Sequence, residues 1–148
     1  MILFLDFDGV LHPVGNHVGG QTDFSRLPLL EDWLRKHPDV NIVISSSWRE
    51  VMDLDVLQHI FSEDLHHRVI DKCPLISNDQ ELEFYRYEEI LTWIKHAQYQ
   101  GLWLALDDAT HDFPPNFDLL VACQKTIGID QQVIDSLSDK HSKLSAAG

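Results

Sequence analysis

The chain has 148 residues, of which 44% are hydrophobic and 24% charged, and this composition is typical of one globular domain. The formal net charge of −13 argues against a protein that coats nucleic acid through clustered Lys and Arg, but it allows a nucleic-acid end as the substrate of a local, metal-neutralised site. Two cysteines are too few for a disulfide framework, and no apolar run approaches the about 18–20 residues that cross a bilayer. With no signal peptide ahead of the first strand, we expect a cytoplasmic protein without a membrane partner.

Two acids follow the first predicted strand. Residues 1–5 are apolar without alternation, as expected of a parallel strand that is covered on both faces. Asp6 and Asp8 stand two residues apart, so on an extended segment their side chains leave the same side of the backbone. Gly9 comes next and is free to take backbone angles that other residues avoid. Acids at the end of a hydrophobic strand are costly unless they face a site, a cation or water, so this pair marks a candidate site.

Beyond these acids, strands and helices alternate along the chain. A glycine-rich segment at about residues 10–22 is predicted to form a small flap, in which His12 and His17 are candidates for contact with a substrate. The elements that follow are a helix over residues 26–37, a strand over 40–44, a helical region over 48–65 in two pieces, a short strand over 68–71, the longest helix over 84–99, a strand over 102–106, a strand over 119–122 and a last helix over 130–137.

This alternation predicts a three-layer α/β sandwich with a Rossmann-like, mostly parallel five-stranded sheet. We expect a single domain over residues 1–137 and a frayed tail over residues 138–148. Ligands of such sheets bind beyond the carboxyl ends of the strands. The polar residues at those ends are Asp6 and Asp8 after the first strand, Ser45, Ser46 and Ser47 after the second, and Asp107 and Asp108 after the fourth.

Four acids at one sheet edge suit Mg²⁺, which takes oxygen ligands from one or two carboxylates and a substrate phosphate. A carboxylate can also attack phosphorus, while a second acid protonates the leaving oxygen and then activates water. Taken singly, an Asp-X-Asp is usually a turn or a solvated pair, a serine run a plain connection, and a late acid pair a helix cap. Joined in this order on successive strand ends, they indicate one site for phosphate chemistry.

The order and spacing of these residues resemble the motifs of the haloacid dehalogenase (HAD) superfamily of phosphotransferases. The first motif is Leu5-Asp6-Phe7-Asp8-Gly9-Val10, and the resemblance implies that Asp6 is the nucleophile and Asp8 the acid/base. It further implies that Ser45, with Ser46 beside it, binds the phosphate. The metal ligands that the resemblance implies are Asp6, the backbone carbonyl of Asp8, Asp107 and Asp108. The presence of Asp8 favours phosphate-ester chemistry over dehalogenation, since the dehalogenases of the superfamily lack this acid.

The third motif of the superfamily is a Lys or Arg on the helix before the fourth strand. Arg86 lies at the start of this predicted helix, where its N-terminus approaches the carboxyl edge of the sheet. Lys95 lies about two and a half turns further on, toward the opposite end. We predict Arg86 as the phosphate-binding cation and keep Lys95 as the alternative. Arg49, beside the serine run, is either a substrate contact or a solvated side chain.

Two further patterns, residues 44–49 and the spacing of Arg86, Glu89, Ile90, Trp93 and Ile94, are similar to the HAD-type domain of Swiss Army Knife RNA repair proteins. The intervals between motifs hold no sizeable cap domain, and an open site suits bulky phosphorylated substrates such as proteins or nucleic-acid ends. We therefore predict a Mg²⁺-dependent phosphohydrolase that forms an aspartyl-phosphate, without stable sequence-specific binding of nucleic acid. The alternatives are a phosphate-sensing or interaction module with weak catalysis, and transfer of the phosphoryl group to an acceptor other than water.

Overall fold

The computed structural model describes residues 1–15, 23–76 and 81–147. The strands within these ranges are β1 (Ile2–Leu5), β2 (Asn41–Ile44), β3 (Val69–Lys72), β4 (Trp103–Asp107) and β5 (Leu120–Ala122). The α-helices are α1 (Leu27–Lys36), α2 (Leu54–Gln58), α3 (Tyr85–His96) and α4 (Gln131–Ala147). Short 3-10 helices span Ser47–Glu50, Glu63–Arg68 and Thr110–Asp112. Of the expected flap, residues 10–15 are described, while His17 and its neighbours lie outside the described residues.

The five strands form one sheet in the order β3-β2-β1-β4-β5, and all four pairings are parallel. This confirms the predicted α/β fold with its five-stranded, Rossmann-like sheet. In the central pairs, Leu5 lies in register with Ile44 of β2 and with Leu106 of β4. The residues that follow these three strands therefore emerge at the same edge of the sheet, where parallel α/β proteins bind their ligands.

Both faces of the sheet are covered, which explains why β1 is apolar without alternation. Leu3 and Leu5 pack into one cluster with residues of α1 and α4, whereas Ile2 and Phe4 pack into a second cluster with residues of α3. Phe4 is fully buried and makes edge-to-face contacts with Trp93 and Trp103, at ring-centroid distances of 5.4 and 5.5 Å. β1 is thus packed on both of its faces.

The last helix is longer than predicted, and the expected frayed tail after residue 137 is wrong. α4 continues to Ala147, which also makes it longer than α3. Its second half is held by tertiary contacts: Trp33 Nε1 donates to Ser138 Oγ at 2.9 Å, and Lys140 Nζ donates to the carbonyl oxygen of Asp118 at 2.7 Å. Leu144 packs against the core as well.

Between β2 and α3 the described residues form β3, α2 and two 3-10 helices of the core, and none of them builds a separate cap. Within the described ranges, no helix is both long enough and apolar enough to cross a bilayer.

Candidate active site

Three carboxylates meet at the carboxyl edge of the sheet. Asp6 directly follows β1, Asp107 ends β4 and Asp108 comes next. Oxygen atoms from the three side chains all lie within 4.8 Å of one another. The backbone amide of Asp6 donates to the carbonyl oxygen of Leu106 at 3.1 Å, so sheet pairing itself places Asp6 beside the end of β4. The sequence prediction that these acids converge agrees with this geometry.

Burial makes the ionised form of these acids unfavourable as long as no cation offsets their negative charge. Asp6 is 6% exposed and Asp107 is 1% exposed. Burial and the neighbouring carboxylate of Asp107 raise the pKa of Asp6 to about 9. Burial likewise raises the pKa of Asp107 to about 6, against the opposing effect of the Arg86 guanidinium. Burial beside a second carboxylate thus stabilises Asp6 in its protonated form, so the arrangement favours either a bound proton or a cation.

The donor set fits Mg²⁺. Its atoms are carboxylate oxygens, which are the ligands that this hard cation prefers. Asp107 Oδ1 accepts the backbone amide of Ala109 at 2.9 Å, which fixes the orientation of the carboxylate. Asp107 Oδ2 is buried and has no hydrogen-bond partner among the described residues. A buried carboxylate oxygen without a donor is costly, and a metal ion at this position would remove that cost.

Gly9 lets the loop after β1 pass close to this cluster. Its φ is +74°, a backbone conformation that L side chains rarely adopt. A Cβ at this position would lie 2.3 Å from Oδ2 of Asp108. Glycine is therefore required here for two reasons. The backbone has a positive φ, and a Cβ would collide with the side chain of Asp108, which is a candidate metal ligand.

Asp8 lies on the same loop, but its side chain is not part of the three-carboxylate cluster. Trp48 Nε1 donates to Asp8 Oδ1 at 3.1 Å, and His12 Nε2 lies 2.7 Å from the same oxygen. His12 Nδ1 accepts the backbone amide of Phe24 at 3.3 Å, so the ring proton resides on Nε2 and is donated to Asp8. The Asp8 side chain is 50% exposed. Two donors thus orient a carboxylate that remains open to solvent and substrate.

His12 has a more definite position than the sequence predicts. It is buried rather than displayed on a flap, and its ring contacts those of Phe24 and Trp48. The backbone of the loop closes tightly, because the Gly9 amide donates to the carbonyl oxygen of His12 at 2.9 Å. Its sequence position, four residues after Asp8, is the only signal that could have pointed to this contact.

The two serines lie at the end of β2. The Ser45 amide donates to the carbonyl oxygen of Leu5 at 2.9 Å, which places Ser45 next to Asp6 at the sheet edge. Ser46 Oγ accepts the backbone amide of Trp48 at 3.2 Å and so caps the short 3-10 helix that follows. Both serines are buried. Ser45 therefore lies at the sheet edge beside Asp6, while the hydroxyl oxygen of Ser46 already has a structural partner.

Arg86 and Lys95 lie at opposite ends of α3. Arg86 is in the first turn, and its Nε is 3.4 Å from Asp107 Oδ2. Lys95 is in the last turn and is exposed. Burial works against the charge of Arg86, but the carboxylates of Asp107, Asp6 and Glu89 outweigh it and raise the pKa of this guanidinium. The structure thus places Arg86, and not Lys95, beside the acids.

The ion pair between Arg86 and Asp107 is close in distance but not aligned as a hydrogen bond. Arg86 Nε and Nη1 are buried and have no hydrogen-bond partner among the described residues. A guanidinium whose Nε lies beside a carboxylate cluster is suited to offset the charge of a phosphate bound there.

Arg49 is neither solvated nor part of this cluster, contrary to both sequence interpretations. It is 4% exposed, and its donors bind backbone oxygens and a glutamate. Glu89, the acceptor on α3, is a residue that the sequence patterns included without assigning it a role.

The raised pKa values predict how the stability of the metal-free protein depends on pH. Folded Asp6 holds its proton up to about pH 9, whereas an unfolded Asp loses it near pH 3.8. The unfolded state therefore binds fewer protons in this interval, and stability in EDTA falls as the pH rises from about 4 to 9. The decline is at most about 1.4 kcal/mol per pH unit for one group. Mg²⁺ is expected to raise the melting temperature most at high pH.

Thermal melts at pH 5 to 9, with EDTA and with Mg²⁺, measure this effect. Asp6→Asn removes the main group responsible and is expected to flatten the profile in EDTA. The quantity to follow is the melting temperature of the wild-type protein in EDTA minus that of Asp6→Asn. If this difference stays constant or increases with pH, the prediction is contradicted.

The chain matches a known protein family. The family described as the HAD domain in Swiss Army Knife RNA repair proteins matches residues 2–134, which is most of the chain. No curated protein and no solved structure was found to match. The matched range contains every residue of the site described above.

Proposed function

This chain belongs to the family of HAD domains in Swiss Army Knife RNA repair proteins, and on that premise we propose that it is a Mg²⁺-dependent phosphohydrolase that works through an aspartyl-phosphate on Asp6. The observation that carries the proposal is the juxtaposition of the three-carboxylate cluster with the guanidinium of Arg86, whose Nε lies 3.4 Å from Asp107 Oδ2. A dianionic phosphate and a divalent cation together would satisfy both groups.

The proposed reaction has two steps. An Oδ atom of ionised Asp6 attacks phosphorus, a new P–O bond forms to Asp6, and the ester P–O bond breaks as Asp8 gives a proton to the leaving oxygen. Asp8 then accepts a proton from water, whose oxygen attacks phosphorus. This second attack breaks the bond to Asp6 and releases inorganic phosphate.

The neighbouring side chains support these two steps. The hydrogen bonds from Trp48 and His12 both fall on Asp8 Oδ1, so Oδ2 is available for the proton transfers. Arg86 offsets charge on the phosphoryl group, and Ser45 donates to one of its oxygens. Bound Mg²⁺, held by the Asp6, Asp107 and Asp108 carboxylates together with the Asp8 carbonyl, would supply further charge compensation.

The substrate is proposed to be bulky, such as a phosphorylated nucleic-acid end or a phosphoprotein. The described residues between the motifs build core elements and no cap, so an extended substrate can reach Asp8. The net charge of −13 disfavours a long nucleic-acid footprint, which favours recognition of a chain end. We also propose a cytoplasmic setting, because Cys73 and Cys123 are free, as thiols are in a reducing compartment.

Hydrolysis of p-nitrophenyl phosphate with Mg²⁺ or EDTA tests the proposal. We expect phosphate release with Mg²⁺ and none with EDTA. A panel of 3′- and 5′-phosphorylated oligonucleotides, phosphopeptides and small phosphate esters then identifies the substrate class, and added alcohols reveal transfer to acceptors other than water. Mg²⁺-dependent binding of orthovanadate without turnover of any ester would overturn the proposal in favour of a phosphate-sensing module.

A further inference from the structure

Four charged side chains of alternating sign cross the carboxyl edge of the sheet. They begin at Arg49, just beyond β2, and continue through Glu89 and Arg86 on α3 to Asp107 at the end of β4. Glu89 Oε2 pairs with Nη2 of Arg49, and Glu89 Oε1 lies 3.6 Å from Nη1 of Arg86. Arg86 Nε lies 3.4 Å from Asp107 Oδ2. One carboxylate therefore bridges a buried arginine and the arginine that faces the site.

Arg49 is the fixed end of this series. Its Nε donates to the carbonyl oxygen of Cys73 at 2.9 Å, and its Nη1 donates to those of Ser45 and Ser46 at 2.8 and 2.9 Å. These acceptors follow β2 and β3, so Arg49 joins the ends of two strands. Its side chain is 2% exposed, which leaves its planar fork little freedom to move.

Glu89, which is held by Arg49, in turn restrains Arg86. Its side chain is 13% exposed and that of Arg86 is 14% exposed, so solvent screens the pair weakly. Arg86 Nε and Nη1 have no hydrogen bond to any described residue, so the charges of neighbouring carboxylates supply the polar restraint on the rotamers of this side chain. Glu89 is placed to supply this restraint, three residues along the same helix.

We propose that Glu89 is a positioning residue, which holds the Arg86 guanidinium toward the phosphoryl group and is itself held by Arg49. The inference rests on the proposed phosphohydrolase function, and it adds a residue to the site that contacts neither substrate nor metal. An arginine that is oriented before substrate binds stabilises the transition state without a reorganisation cost at that moment.

A double-mutant cycle separates this role from a merely structural one. With p-nitrophenyl phosphate and Mg²⁺, Glu89→Gln is expected to lower kcat by about 10- to 100-fold, and Arg86→Ala by about 100- to 1,000-fold. In the Arg86→Ala background, Glu89→Gln is expected to lower kcat by less than about 2-fold further, since the guanidinium that Glu89 positions is gone. Glu88→Gln, one position earlier on the same helix, is the matched control and is expected to retain wild-type kcat.

Equal loss of kcat on adding Glu89→Gln in the wild-type and Arg86→Ala backgrounds would overturn the proposal, as would full activity of Glu89→Gln. If Glu89→Gln does not fold, as judged by its thermal melt, Glu89→Asp replaces it in the same cycle. If the wild-type protein hydrolyses no ester, the proposed function fails separately, and Mg²⁺-dependent binding of orthovanadate, measured calorimetrically, becomes the readout. The same non-additive pattern is then expected in Kd, and a lack of wild-type binding overturns the inference as well.

Discussion

Asp6→Asn is expected to abolish hydrolysis of p-nitrophenyl phosphate, with a loss in kcat of about 10⁴-fold or more, because the amide cannot act as the nucleophile. The loss is expected at every pH, since the amide of asparagine does not ionise to a carboxylate. Steady-state kinetics with Mg²⁺ measures it. Acid-stable labelling of the wild-type protein by a ³²P substrate, absent in the variant, identifies the phosphoenzyme directly.

The same substitution is expected to have the opposite effect on stability. Asp6 is 6% exposed, and its burial beside other acids costs free energy when no cation is present. In EDTA at pH 8 the variant is therefore expected to melt at a higher temperature than the wild type. Asp53→Asn, at an exposed position whose side chain makes no cap hydrogen bond, is a suitable control for both measurements. Wild-type activity in Asp6→Asn would contradict the mechanism.

Asp8→Asn is expected to reduce kcat by about 10²- to 10⁴-fold, and the size of the loss depends on the leaving group. Nitrophenolate leaves without much help from an acid, whereas the alkoxide of an alkyl phosphate requires a proton. The first step is therefore expected to suffer most with an alkyl phosphate. With p-nitrophenyl phosphate the second step is expected to become limiting, because the activation of water is lost.

A burst of nitrophenol equal to the enzyme concentration, followed by slow turnover, is the expected signature of this variant. The asparagine oxygen can still accept the hydrogen bonds from Trp48 and His12, so the loop geometry is retained. Equal losses with aryl and alkyl esters, and no burst, would show that Asp8 does not handle the proton.

The strands, and the edge of the sheet at which the site residues lie, could be predicted because both depend on patterns of neighbouring residues in the sequence. β1 is covered on both faces, so it is apolar at every position, and this uniform run pointed to a central parallel strand. Parallel pairing then requires that Asp6 and Asp107 lie at the same edge. The choice of Arg86 over Lys95 followed from the direction of a helix relative to that edge, and the structure places both residues accordingly.

Contacts between distant segments could not be predicted in the same way. The second half of α4 has no strong apolar stripe and is held by bonds such as that from Trp33 to Ser138, 105 residues away. Arg49 has a charged side chain after a serine run, which locally resembles a solvated helix start. Its burial depends on carbonyl groups that only the assembled strand ends present together. The role of Glu89 can be recognised only in the folded structure, where Arg49 and Arg86 both contact its carboxylate.

Trp48 has a consequence for how the two halves of the proposed reaction are coordinated. Its backbone amide is bound by Ser46, beside the predicted phosphate contact, while its indole donates to Asp8 on the loop after β1. Trp48 therefore connects, through two hydrogen bonds, the segment that would bind the phosphate and the carboxylate that would transfer the proton. A substrate that displaced the serine loop would also misdirect Asp8, so correct seating of the phosphate becomes a condition for proton transfer.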